Sequence, residues 1–121
     1  MENKVYDLKK RTYIYALDVI KFLEGLPKDY ISEIIGRQLL RSATSIGANI
    51  VEAQASSSKK DFANFYSHSL KSANESKFWL GLLKDSGKAS SDKVGSILNE
   101  TNELSNILAS SILTMKGKKR F

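Results

Sequence analysis

Apolar side chains recur along this chain with alternating spacings of three and four, over four stretches separated by short polar breaks, and that spacing predicts four amphipathic helices. The first covers about residues 7–24, where Leu8, Tyr15, Val19, Phe22 and Leu26 continue one line until Gly25 and Pro27 stop it. The second covers about 30–55 and opens on Asp29, a residue able to cap it, with Ser32 and Glu33 in the first turn. A third, about 59–86, follows the serine cluster Ser56, Ser57, Ser58, in which Ser58 and Asp61 approximate a capping box. Its inward stripe reads Phe62, Phe65, Ser69, Ala73, Ser76, Leu80 and Leu83, and Gly87 ends it. The fourth, about 91–116, carries Val94, Leu98, Thr101, Leu104, Leu108, Ser111 and Met115 before Gly117 and a basic tail over 117–121. No stretch shows the strict alternation of a strand. Four amphipathic helices on short loops make antiparallel neighbours, so the expected fold is all-α: one domain, an up-down-up-down four-helix bundle.

The second helix organises the rest. Leu39, Leu40, Ala43, Ile46, Gly47, Ile50 and Val51 spread over an arc wider than one neighbour requires, which places this helix at the centre. Gly36, Ala43 and Gly47 share a side and predict close approach of another backbone. Arg41, Ser45, Asn49 and Glu52 form a polar row on another side. Such a row either binds a ligand or, the stronger reading, locks the bundle register or a subunit seam through buried hydrogen bonds. Asn74 and Glu75 on helix 3 are its candidate partners. Asn49 and Glu52 are expected to be at least partly buried, with Arg41 as counter-charge.

With this helix placed, the chain resembles the four-helix-bundle family of bacterial 23S ribosomal RNA intervening-sequence proteins over roughly Leu8 to Met115. The residues that carry the resemblance are Arg41, Ala43, Ser45, Ile46, Asn49, Ile50 and Glu52, with Asp61, Phe62, Phe65 and the run Ala73, Asn74, Glu75 behind them. Gly47 stands where the family often has proline, and Ala53 where it often has glycine. The resemblance implies a ring-like homopentamer and, for a related branch of accessory proteins in diversity-generating retroelements, contact with nucleic acid and with a reverse transcriptase.

Composition narrows the chemistry. The chain has 121 residues, 41% of them hydrophobic, and no cysteine, which removes disulfides, thiol nucleophiles and cysteine-ligated metals. Its only histidine, His68, shares a face with Ser72 and Glu75, but the Glu-x-x-His motif of di-metal bundles is missing. No GxxxxGK[ST], GxGxxG or GxSxG occurs. No catalytic residue, cofactor or metal ligand is expected, and a small-molecule enzyme is the least favoured reading. The apolar runs fall short of the roughly 18 residues of a membrane span. The opening MENKVYDLKKR lacks a signal-peptide core, so cytoplasmic residence is expected.

A net charge of +6 suits a polyanion, and Arg37, Arg41, Lys60, Lys71, Lys77 and Lys84 are the candidate nucleic-acid contacts. Phe78, Trp79 and Leu82 lie off the inward stripe of helix 3 and form a candidate subunit contact. The expected function is a non-enzymatic oligomeric adaptor contacting RNA or DNA. The alternative is a purely structural protein-protein module whose charge serves solubility.

Overall fold

The computed structural model describes residues 7–117; the basic residues Lys118, Lys119 and Arg120 of the expected tail lie outside them. It contains α1 (Leu8–Glu24), α2 (Tyr30–Ala55), α3 (Lys59–Asp85) and α4 (Ser91–Met115), with no strand among the described residues. Three helix starts are written in single side chains. Asp29 Oδ1 accepts from the Ser32 amide at 2.8 Å, Ser58 Oγ from Asp61 at 3.1 Å, and Ser90 Oγ from Lys93 at 3.2 Å. α3 stops where Gly87 turns left-handed at φ 78°, letting the amides of Gly87 and Lys88 bond the carbonyls of Lys84 and Leu83.

Each helix packs antiparallel to its chain neighbour, and α4 closes back on α1; the backbones approach along these four sides and not along either diagonal. The bundle is therefore a square, with α2–α3 its most extensive seam and α1–α4 its least. Tyr15 and Val19, Leu39, Ile46 and Ile50, Leu80 and Leu83, and Leu104 and Leu108 fill the centre from the four sides. The close approach read from Gly47 is made to α1: a Cβ at this position would lie 3.0 Å from Thr12 Oγ1. A Cβ at position 47 would press on the Thr12 side chain, which would have to give way slightly.

Two expectations about burial are corrected. Leu40 and Val51 of the wide apolar arc are exposed, because α1 and α3 cover only two sides of α2. On α4, Ile97 and Ile112 are buried, whereas Leu98 and Ser111 sit at the rim and Met115 is exposed in the last turn. A helix held between two neighbours buries an arc centred between its two contact lines, not a single stripe.

Candidate functional site

The α2–α3 seam is lined with small hydroxyl residues, which let the two helices approach and then bond each other. Ser69 Oγ donates to the Ile46 carbonyl at 2.8 Å, and Ser72 Oγ donates to Ser45 Oγ at 3.0 Å. Ser76 donates to the Ser72 carbonyl at 2.9 Å and Ser42 to the Leu39 carbonyl at 3.3 Å, and the two hydroxyls meet in a buried 2.8 Å contact. Asn49 Nδ2 donates to both the carbonyl and the hydroxyl of Ser45. Ser45 and Asn49 of the polar row thus serve the seam.

The two charged ends of the row behave differently. Arg41 is exposed and reaches across to the Glu75 carboxylate while also bonding Gln38 Oε1 at 2.9 Å. Glu75 accepts from the Trp79 indole N–H at 2.9 Å as well. That indole bond first, and Arg41 next, hold the Glu75 carboxyl below its ordinary value, so the pair's stabilisation is present at neutral pH and fades as pH falls through the lowered pKa. Glu52 is a correction: it is exposed and forms no ion pair among the described residues. It sits in the last turn of α2, past the reach of Arg41. Of the proposed partners on α3, Glu75 is used and Asn74 points to solvent.

Trp79 is half-buried against the core and its N–H is taken up by Glu75, whereas Phe78 and Leu82 stand exposed on the outer face. A more continuous apolar surface lies elsewhere. Tyr13, Ala16, Leu17 and Ile20 of α1 face Thr44, Gly47, Ala48 and Val51 of α2 across a groove of about 670 Å³. Tyr13 is 67% exposed, Leu17 46% and Val51 45%. The signal was in the sequence: Tyr13, Leu17 and Ile20 form a second helical line on α1, offset from the one that enters the core.

The cations predicted for nucleic acid are not gathered into one patch. Lys60 and Lys71 are exposed on the outer face of α3, Lys77 and Lys84 are half-buried along the side turned to α4, and Arg41 is neutralised by Glu75. Arg37 and Lys84 belong to the end where Lys21, Lys28, Lys88 and Lys93 are matched by Asp18, Glu24, Asp29, Glu33, Asp85 and Asp92. The opposite end is the basic one: Lys9, Lys10, Lys59, Lys60 and Lys116 outnumber Asp7, Glu52 and Asp61.

Residues 4–110 match the profile described as 23S rRNA-intervening sequence protein. The chain belongs to this family. Among solved structures it is similar to a protein of unknown function from the S23 ribosomal protein family of Bacteroides thetaiotaomicron, with 34% sequence identity and a TM-score of 0.84 over 91% of this chain and 98% of that one. No curated protein matches. In this member of the intervening-sequence family, no group of three or more histidine, aspartate or glutamate side chains could hold a metal ion among the described residues. His68 is exposed, edge-on to Phe65, while Ser72 and Glu75 are committed to α2. No helix among the described residues is long and apolar enough to cross a membrane.

Proposed function

We propose that this protein is a non-enzymatic, oligomeric helical-bundle adaptor whose copies join through the α1–α2 groove and whose assembly holds RNA or DNA by repeated basic groups. The observation that carries the reading is the groove itself. Monomers seldom leave so continuous an apolar strip in water, and a self-complementary or ring contact would bury it. A ring of five, the assembly that the resemblance implies, would multiply each cation and so raise affinity for a polyanion. A protein partner such as a reverse transcriptase belongs to the same reading. Phe78 and Leu82 supply a second, smaller apolar contact on the outer face of α3.

Leu17→Glu tests the assembly, because the position is exposed in the single chain and the change should leave the fold intact within about 0.5 kcal/mol. Sedimentation should give a multi-chain mass for the unaltered protein and a single-chain mass for the variant. A single-chain mass for both at micromolar concentration would remove the oligomer.

Polyanion contact is tested by salt. Replacing Lys60 and Lys71 by glutamine should weaken binding to unrelated sequences alike and lower the slope of log affinity against log salt by about 1 to 2. Binding without salt dependence would favour the alternative, a protein-protein module. That alternative draws support from the charge distribution, since Lys118, Lys119 and Arg120 account for half of the net +6.

A further inference from the structure

Between the first half of α3 and the last half of α4 lies a cleft of about 700 Å³. Phe62 and Tyr66 form one wall, stacked with ring centroids 4.8 Å apart and planes 23° apart, and both remain half-exposed. Ile107 continues the apolar surface, while Gln54, Asn106 and Ser110 supply amides and a hydroxyl around it. None of the lining side chains carries a formal charge at neutral pH. Burial alone pushes the Tyr66 phenol up from its ordinary value, with no hydrogen-bond partner contributing.

Charge surrounds this neutral cleft. Lys59 and Lys60 precede Phe62 by less than one turn of α3, and Lys116 follows Met115 at the cleft's other edge. A half-exposed pair of stacked rings beside neutral hydrogen-bonding groups suits a nucleobase, which can extend the stack, and cations just outside it suit the phosphates on either side. Only an unpaired base offers both a free face and a free edge; in a duplex the face is covered by stacking.

We propose that this cleft binds an unpaired nucleotide of single-stranded nucleic acid, with the base on the Phe62–Tyr66 pair and its flanking phosphates on the cations of the basic end. The proposal rests on the nucleic-acid reading above and specifies its ligand. It also explains why the cations need not form one continuous patch: backbone charge attracts the strand, and the aromatic pair retains it.

Fluorescence anisotropy with labelled oligouridylate and oligothymidylate of about ten nucleotides tests it, a length within the span of common single-strand sites. Phe62→Leu and Tyr66→Leu keep apolar bulk but remove the aromatic face, and helix content by circular dichroism checks that each folds. Both should lose about tenfold or more in affinity with an unchanged salt slope, because stacking releases no counterions. Tyr66→Phe should bind as the unaltered chain does. A loss confined to the uridylate places ribose recognition on the polar rim, and a loss shared with the thymidylate places recognition in the base; either supports the cleft. If both leucine variants bind as the unaltered chain while Lys59→Gln and Lys60→Gln weaken binding, the cleft is overturned and the charge reading stands. If the unaltered chain binds neither strand at low salt, both fall together.

Discussion

Between about pH 10 and 12 this protein should lose about 2 to 3 kcal/mol of stability from a single phenol. Tyr15 is 1% exposed at the centre of the bundle, and desolvation above all pushes its pKa from 10.0 up to about 12. Its hydroxyl is a donor: Thr101 gives its own proton to the Ile97 carbonyl at 2.7 Å, so the 2.7 Å contact between Tyr15 and Thr101 must run from the phenol. Ionisation would leave a desolvated charge in the core, a cost that hydrogen bonds from Thr101 and Ser76 offset only in part. The sign follows from the raised pKa. In this interval the unfolded chain has released the proton while the folded chain still holds it, so stability is full below pH 10 and falls until pH passes about 12. Tyr66, also raised by burial, acts in the same direction. Urea midpoints measured across this range should drop steeply for the unaltered protein and much less for Tyr15→Phe. At neutral pH that variant should cost only about 0.5 to 1.5 kcal/mol, the net worth of one hydrogen bond. Equally steep curves would mean that the alkaline loss arises elsewhere.

Glu100→Ala should destabilise by about 1 to 3 kcal/mol, and Arg11→Met by less than about 1 kcal/mol, although the two residues share one ion pair. Arg11 is 14% exposed and meets Glu100 through two nitrogens, at 2.7 and 2.9 Å, with Glu103 a further acceptor at 3.3 Å. Its remaining nitrogen, Nη1, is already buried without a partner. Removing Glu100 leaves a largely buried guanidinium with only the longer contact to the exposed Glu103. Removing Arg11 leaves Glu100, whose side chain is 32% exposed and can be solvated, while methionine keeps the apolar stem. The loss should be local as well, because the α1–α4 seam has the fewest contacts to replace it. Amide exchange in α1 should accelerate first in Glu100→Ala. The opposite order of destabilisation would show that the stranded charge is not what matters.

Helix type, helix number and antiparallel order were legible because they depend on local periodicity and on short connections. The caps at Asp29 and Ser58 were legible for the same reason: each depends on a side chain and an amide three residues apart. The residues of α2 that carry the family resemblance include Ser45, which lies on the seam that the bundle closes most fully and bonds Ser72 across it. The close approach at Gly47 was also written in the chain, although its partner, Thr12, was not.

Partnership across the bundle needed the tertiary structure. Periodicity gives the angular position of a side chain on its own helix but says nothing of how far the next helix is shifted along its axis. That axial shift decided that Arg41 meets Glu75 while Glu52 is left in solvent. The apolar lines of α1 were both visible in the sequence, yet only packing chose which entered the core. Burying Tyr15 and Val19 between α2 and α4 turned Tyr13, Leu17 and Ile20 outward, because a helix with two neighbours cannot cover a third direction. Local spacing thus determined the helices and their order, and the axial register and rotation of each helix against its neighbours decided which side chains became seam, core and exposed face.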